Sequence, residues 1–558
     1  MISLLELLKD DLKQLILNET NYDVDIEIPR RGDYDLAIPL FRLLKSTGLK
    51  LPVLYNKISD IIKSHPLIIE TELIGAFLNI KLNEPKYAKH VLNTVYNLGA
   101  EFGNGKPKKE VVVIDYSSPN IAKNFSVGHL RSTVIGHSLK LIYQKLGHKV
   151  IGINHLGDWG TQFGKLLIAY EKWSNLEALK QNPIDELQRI YIKFHEEAEK
   201  NPSLEDDARD AFKELELGDK NKLKLWSYFR EESLKEFMKV YQLLDVEFDS
   251  YAGEAFYNDK IDKVIHLLES KNLLKLDDGA TIIELGDDIP PALIKRSDGA
   301  TLYMTRDLAA LLYRYETYHM SKALYLVGNE QKLHFEQLKR IVNLLELPIE
   351  VVHVNFGLVL IDGKKMSTRT GTNANLHDVL LESISDAKEA IIEKNPNLKA
   401  IDQTSKAIGV GAVVFNDLKN DRNLNIDFNL EQMLRFEGQT GPYLQYTSVR
   451  INSILKDAEL DIDKVNYSLF ENANYFDLVK QISTFSEAIK KAAIDYNPSV
   501  ISKHLLALAQ LFNSFYAQTR ILVEEEGTLN ANLLLISNIR TIINEGLRLL
   551  GIKYLDEM

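Results

Sequence analysis

The sequence predicts an α/β protein: a doubly wound parallel-sheet core with a helical insertion, preceded by a small α+β domain and followed by an all-α bundle. Three observations carry this. Short β-branched runs such as Val111-Val-Val-Ile114 lack polar alternation, as strands buried on both faces do. Helix-patterned stretches separate them, which is the pattern of parallel strands joined by crossover helices. From about residue 430 onward only helical periodicity remains.

Along the chain, Leu4, Leu5, Leu8, Leu12, Leu15 and Ile16 recur at helical spacing and predict an amphipathic first helix. Residues 23–28 and 77–82 alternate polar and apolar side chains, as half-buried strands would. The run Gly103-Asn-Gly-Lys-Pro-Lys-Lys109 is the first break, and its Gly, Pro and like charges favour an exposed linker. Residues 1–106 therefore read as the small α+β domain. Core strands are expected at 111–114, 149–154, 323–327 and 351–355, within a unit spanning 107–430. Residues 166–260 are long, charged and helix-patterned, as in 187–200 and 225–244, and read as a helical insertion into that unit. The closing domain, 431–558, carries Leu505, Leu506, Leu508, Leu511, Phe512, Phe515 and Tyr516 as a thick apolar face, as in a helical bundle.

Bulk properties narrow the function. A chain of 558 residues is too long for one core and suggests about three domains. With 45% hydrophobic and 26% charged residues it is ordinary for a soluble globular protein. The absence of cysteine rules out disulfides, a catalytic thiol and cysteine-ligated zinc, and it fits a reducing cytoplasm. Charged residues interrupt the first helix, so no secretion signal is expected. The longest apolar runs fall far below the ~20 residues that cross a bilayer. A net charge of −12 argues against a protein that coats nucleic acid in general, but allows one RNA partner on a local basic patch.

Five segments carry candidate chemistry. Asp115-Tyr-Ser117-Ser118-Pro-Asn120-Ile-Ala-Lys123-Asn-Phe-Ser126-Val-Gly128-His129 follows a strand and opens a helix. Free N–H groups at a helix start favour an anion such as phosphate, Gly128 allows close backbone approach, and His129 adds a donor. A Gly-His pair alone would be read more simply as a strand–loop–helix joint with a surface histidine. Asp362-Gly-Lys-Lys365-Met366-Ser367-Thr368-Arg369-Thr-Gly371 sets lysines on a Gly-flanked loop, suited to a departing polyphosphate, although Lys-Lys by itself is usually a solvated turn. In Asp298-Gly-Ala-Thr-Leu-Tyr303-Met-Thr-Arg-Asp307, Tyr303 and Asp307 share a face if helical. A carboxylate there suits a guanidinium; alternatively Asp307 pairs with Arg306 or Arg314. Gln331, in the stretch 325–335 after a strand, offers an amide that both donates and accepts, while His334 nearby is equally a core or surface histidine. Residues 436–446 introduce the bundle with Phe436, Tyr443 and Tyr446.

Ser126-Val-Gly128-His129 resembles the HIGH signature of class I aminoacyl-tRNA synthetases, and 117–123 resembles the arginine-specific version of the segment before it. Asn154-His-Leu-Gly-Asp-Trp-Gly-Thr-Gln-Phe-Gly164 is similar to the continuation in arginyl-tRNA synthetases, and 362–371 resembles the KMSKS loop. Residues 436–446 and 546–552 resemble that family's anticodon-binding domain. The likeness covers nearly the whole chain. It implies a Rossmann-type catalytic domain, an N-terminal domain touching the tRNA elbow and a C-terminal anticodon-binding domain. It further implies arginine, ATP with Mg²⁺ and tRNA as substrates and partners, no protein-bound zinc, no membrane, a monomer, and often a need for tRNA before arginine is activated. Carried over by motif, Asp115, Ser117, Ser118, Asn120, His129, Tyr303, Asp307 and Gln331 contact arginine. Asp115, Tyr303 and Asp307 belong near the guanidinium, and Asn120 and Gln331 near the α-amino and carboxylate end. Ser126, Gly128, His129, Lys365, Met366 and Ser367 face ATP, and His129, Lys123 and Lys365 are catalytic. Two positions depart from the signatures: Ser126 replaces the first histidine and Thr368 the second lysine. Lys123 is expected to substitute for that lysine. A synthetase for another amino acid would not need an acid at 307. A small-molecule adenylyltransferase would not need the terminal domains, and Ser126 and Thr368 alone favour a non-catalytic RNA-binding relative.

Overall fold

A computed structural model describes residues 4–29, 34–297, 302–361, 364–365 and 375–558, with the backbone alone at 361, 364 and 365. Helix α1 (Leu4–Thr20) buries Leu4, Leu5, Leu8, Leu12 and Ile16 along one face, as its leucine spacing requires. It packs with β1 (Leu36–Pro39), α2 (Phe41–Thr47), α3 (Leu51–Ile62), β2 (Ile68–Ile74), β3 (Phe77–Leu82) and α4 (Glu84–Leu98). The three strands pair antiparallel in the order β1-β3-β2. Residues 23–28 were expected as a strand and instead make a single bridge, Glu27 to Ala37. Val24 and Ile26 do point inward. The alternation reported burial, which a segment lying along the sheet edge achieves without a ladder.

The core begins with β4 (Val111–Asp115), α5 (Leu130–Lys145) and β5 (Lys149–Ile153). The insertion then contributes α6 (Thr161–Trp173), α7 (Leu176–Gln181), α8 (Pro183–Lys200), α9 (Ser203–Glu216) and α10 (Lys220–Leu244). After α11 (Ile261–Ser270) comes an antiparallel meander that periodicity did not predict: β6 (Lys275–Asp277), β7 (Ala280–Ile283) and β8 (Ala292–Lys295). Its strands are three or four residues long, too short for a period to register. Helix α12 (Tyr303–Tyr318), β9 (Lys322–Tyr325), α13 (Lys332–Leu344) and β10 (Glu350–His353) complete the central sheet.

That sheet is parallel throughout, in the order β10-β9-β4-β5. The chain moves outward from β4 to β5, then returns to place β9 on the other side of β4. The order thus reverses between β4 and β9. A third small sheet joins β11 (Val359–Ile361) to β12 (Lys364–Lys365), and α14 (Leu376–Lys394) and α15 (Ile401–Leu418) lead to its third strand, β13 (Ile426–Asp427). Helix α16 (Leu430–Met433) precedes the bundle of α17 (Gly441–Lys456), α18 (Ala473–Ser483), α19 (Phe485–Ile494), α20 (Ser499–Gln518) and α21 (Glu526–Leu549). No helix among the described residues is long and apolar enough to cross a membrane.

Helix α5 ties these parts together and is buried along most of its length. Ser138 donates to the Leu549 carbonyl at 2.7 Å, Tyr143 to the Ala493 carbonyl at 3.1 Å, and Lys145 pairs with Glu545 at 2.8 Å. Arg131 pairs with Asp417 of α15 at 3.1 Å and donates to the Leu424 carbonyl at 2.6 Å, just ahead of β13. Both partners of that pair are 1% exposed. Burial nevertheless raises the Asp417 carboxyl above its ordinary range. Removing one partner of such a pair leaves an uncompensated buried charge. Arg131→Met should therefore cost roughly 3–5 kcal/mol, read as a lower thermal midpoint, and Arg131→Met with Asp417→Leu should regain most of it. A single variant as stable as the parent would show that the pair does not organise this joint.

Candidate active site

In an open parallel sheet, ligands bind at the carboxyl ends of strands where the strand order reverses. Here that point lies between Asp115, the end of β4, and the turn after Tyr325, the end of β9. Asp115 is buried, and its charge is balanced. One oxygen accepts from Arg314 Nη1 at 2.8 Å and the other from the Ser118 hydroxyl at 2.9 Å. Arg314, 1% exposed, also reaches His155 Nδ1 at 3.1 Å. The Tyr325 hydroxyl beside it is buried without a hydrogen-bond partner, and burial raises its pKa.

The loop from β4 to α5 is strained. Ser117, Ser118 and Ala122 have φ of 72°, 48° and 58°, a region that side chains normally avoid. Buried hydroxyls hold it there. The Ser117 N–H donates to Ser132 Oγ at 2.9 Å, and that hydroxyl donates to the Leu326 carbonyl at 2.8 Å, joining the loop to the turn after β9. Ser117 Oγ meets the Tyr241 hydroxyl at 2.8 Å, which also accepts from Asn154. The Ala122 N–H donates to Ser233 Oγ at 2.8 Å. Tyr241 and Ser233 belong to α10, so the insertion supports the loop directly. Asn120 is exposed, and its side chain lies over Gly157, where a Cβ would come within 2.0 Å of Asn120 Oδ1.

Residues Val127–His129 form a single 3-10 turn at the start of α5, with Ser126 and His129 capping each other. The Ser126 N–H donates to His129 Nδ1 at 3.2 Å. An Nδ1 that accepts leaves the neutral ring's proton on Nε2, so His129 presents an N–H donor. Phe125 backs the ring at 5.2 Å and rests edge-on against Phe237 and Tyr241 of α10. Gly128 is exposed, and the position of its missing Cβ meets only Ser126 Oγ, at 3.4 Å. Lys123 lies near the same turn, its ammonium 5.4 Å from the Tyr191 ring centre.

Tyr303 and Asp307 stand one helical turn apart on α12, with Tyr303 64% exposed. Asp307 pairs with neither Arg306 nor Arg314; its partner is His334 Nε2 at 2.5 Å. Sequence reasoning missed Glu254. This residue is half-buried, with Oε2 shielded and unpartnered, and its pKa is pushed up to about 8 by desolvation and then by the charge of Asp307, with Arg306 pulling the other way. The two acidic groups act on each other's charge, and Arg306 offsets only part of it, which makes them a candidate site for a cation. No sequence signal marked Glu254, because its partner lies 53 positions away and only the fold brings them together. Gln331 is exposed at the turn after β9. Met366, Ser367 and the Lys365 side chain lie outside the described residues; the Lys365 backbone belongs to β12.

A second cleft, of about 810 Å³, opens where α14, α17 and α20 meet. Arg450 lies 4.8 Å from the Tyr446 ring centre and 5.4 Å from that of Tyr516, and Lys394 4.8 Å from Phe436. Asn513 bridges Arg450 and the Tyr443 hydroxyl at 2.9 and 2.8 Å.

Comparison with known proteins bears on both regions. Residues 91–430 match the family model of the class I tRNA synthetases (R), catalytic domain, and 444–558 that of the DALR anticodon binding domain. The arginine–tRNA ligase of Exiguobacterium sibiricum is 47% identical over 548 residues, 97% of each chain. That of Enterococcus faecalis is 47% identical over 558 residues, covering 99% of this chain and 97% of its own. The Thermus thermophilus arginyl-tRNA synthetase structure superposes with a TM-score of 0.84 over the full length of both chains at 21% identity, a likeness of fold.

The state of His129 can be tested directly. Burial, with Lys123 adding to it, lowers its pKa to about 4. The folded ring thus stays neutral while an unfolded one gains a proton below about 6.5, so this group makes stability fall as pH drops from about 6.5 toward 4. Imidazole ¹⁵N resonances should show the Nε2–H tautomer at neutral pH and no titration above about pH 5. A ring that titrates near its ordinary pKa would remove the fixed donor.

Proposed function

The chain belongs to the class I tRNA synthetases of the arginine (R) branch, and we propose that its β4–β9 crevice holds arginine against ATP, with the residues above in defined roles. The protein activates arginine with ATP and transfers it to tRNA. An arginine carboxylate oxygen attacks the α-phosphorus in line. The bond to the β-phosphate oxygen breaks, pyrophosphate leaves and arginyl-adenylate remains. A hydroxyl of the terminal tRNA ribose then attacks the arginyl carbonyl and AMP departs.

The observation that carries the site assignment is the acidic pair Asp307 and Glu254, whose charges act on each other, with Asp307 one helical turn from the exposed Tyr303. A guanidinium entering there supplies the missing charge, with planar donors that suit carboxylates. Asp115 forms part of the wall, its remaining lone pairs available although Arg314 balances its charge. Ser117 and Ser118 shape that wall, and Asn120 and Gln331 face the α-amino and carboxylate end. On the ATP side, Ser126, Gly128 and His129 offer donors to phosphate oxygens, and His129 also borders arginine. Lys365, Met366 and Ser367 are assigned to ATP by their place in the KMSKS-like segment. Lys123 and Lys365 offset the charge that develops as pyrophosphate leaves, an electrostatic role that needs no covalent step. We take Mg²⁺ to arrive on the triphosphate, whose charge it spreads.

Residues 1–106 are assigned to the tRNA elbow, 107–430 to activation and 431–558 to the anticodon. The Tyr446–Arg450–Tyr516 cleft suits an unstacked base, for which aromatic faces and a guanidinium are common receptors. We further assign the protein to the cytoplasm and to a monomeric state.

Arginine-dependent ATP–pyrophosphate exchange, with and without total tRNA and with lysine as control, tests the reaction. Exchange with arginine only when tRNA is added is expected; equal exchange with lysine would overturn the arginine pocket. Lys123→Ala should slow activation, and an unchanged rate would remove Lys123 from catalysis. Asp307→Asn should raise the KM for arginine by about 100-fold, the scale of losing one buried charged partner.

Glu254 gives a separate readout. With a pKa near 8 it is protonated at neutral pH in the free protein, and an arriving cation lowers that pKa and expels the proton. Calorimetry in buffers of different ionisation enthalpy should therefore show proton release on arginine binding at pH 7, absent in Glu254→Gln. Equal release by both proteins would place Glu254 outside the pocket.

A further inference from the structure

The amino ends of the parallel strands open on a different cavity, about 830 Å³, bounded by Val112 of β4, Lys322 of β9, Glu350 of β10 and the end of α19. Five residues of strand, about 16 Å at ~3.3 Å each, separate it from the crevice at the carboxyl ends. We propose that this cavity binds a small phosphate-bearing molecule, held by Lys106, Lys108 and Lys490 with His148 as an N–H donor.

The donor set is the first argument. Lys108 Nζ lies 2.9 Å from His148 Nε2. An ammonium only donates, so Nε2 accepts and the neutral ring carries its proton on Nδ1. The His148 side chain is 9% exposed, and its Nδ1 is buried with no hydrogen-bond partner. Burial and the Lys108 charge hold its pKa below the ordinary value, so the ring stays neutral and lacks an acceptor rather than a counter-charge. A phosphate oxygen supplies one when the exposed Glu110 carboxylate, 3.6 Å from Nδ1, swings aside.

Charge balance is the second. Glu350 is engaged by Lys322 at 2.9 Å and by the Tyr496 hydroxyl at 3.3 Å. Glu110, the other carboxylate on the wall, stands 3.6 Å from His148 Nδ1, beyond hydrogen-bond reach. Lys106 and Lys490 make no ion pair among the described residues, so the cavity is left with excess positive charge.

Rigidity is the third. The 105–108 strap is pinned to the turn after α5, Gly105 N–H donating to the Lys145 carbonyl and Lys108 N–H to the Gly147 carbonyl, each at 2.8 Å. A Cβ at Gly105 would come within 2.2 Å of the Leu146 carbonyl oxygen, and Gly147 has φ +85°. The strap therefore lies flat on the turn, and its lysines are presented without a loop-ordering cost. Tyr143, Leu146 and Ala493 add an apolar wall, giving a body attached to the phosphate a surface to cover.

The test titrates the full-length protein with inorganic pyrophosphate while following the His148 imidazole resonances, identified by their loss in His148→Gln. A saturable shift is expected, weakened about tenfold by Lys108→Ala or Lys490→Ala, the scale of one charge-assisted hydrogen bond. Arginine-dependent exchange by both lysine variants should match the parent, which keeps this site distinct from the active site, where pyrophosphate is a product. No saturation, or equal affinity in the lysine variants, would mean an adventitious ion only and overturn the proposal. A shift produced by tRNA but not by pyrophosphate would assign the phosphate to an RNA backbone and overturn the small-molecule reading.

Discussion

The active site depends on one constraint: the loop between β4 and α5 is held in a backbone conformation it would not choose. Three non-glycine residues with positive φ cost on the order of 1–3 kcal/mol each. Ser118 is held locally, its hydroxyl donating to Asp115 and its N–H to the Tyr116 carbonyl. Ser117 and Ala122 are held by the hydroxyls of Ser132, Tyr241 and Ser233, which accept or share hydrogen bonds at fixed distances from α5 and α10. The result is a turn whose position is set by two packed helices, as a site acting by orientation requires. The helical insertion is therefore structural support for the chemistry, because without α10 two of those hydroxyls are gone.

Electrostatics divides the crevice in two. Beside β4, Arg314 balances Asp115 in a buried pair, and that corner is neutral before any ligand arrives. Beside α12, Asp307 has only His334, and Glu254 has no cation at bonding distance. The contrast separates a carboxylate already paired with an arginine from acidic groups set against a histidine or another carboxylate. At the start of α5, burial and Lys123 keep His129 neutral, and Ser126, the residue that replaces a signature histidine, orients its ring. The replacement removes one donor, and the backbone N–H at 126 fixes the tautomer of the one that remains.

Helix α5 connects this chemistry to the rest of the chain. It begins at the 3-10 turn of His129 and ends against α19 and α21 of the bundle. Arg131, two residues past His129, reaches Asp417 and the strand that pairs with β11, whose hairpin carries Lys365. Buried pairs such as these add little net stability, since desolvation offsets the attraction. What they do is penalise any arrangement in which the partners separate, and so keep the two lysine-bearing and histidine-bearing segments in one frame.

The amino-acid order alone determined what is local or periodic. The α5 turn, the first helix and the core strands at 111–114 and 149–153 follow from spacing and β-branching, and the two signature segments are contiguous in the chain. Alternation at 23–28 marked inward side chains but not a ladder, since pairing depends on where a neighbour lies. The meander at 275–295 was too short to leave a period. Only the tertiary structure decided which carboxylate is balanced. Asp115 meets Arg314 from 199 positions away, and Asp307 meets His334 across 27. The unpartnered Glu254 and the positive φ values of Ser117, Ser118 and Ala122 were likewise invisible, because strain and desolvation belong to what surrounds a residue, and that is settled by packing.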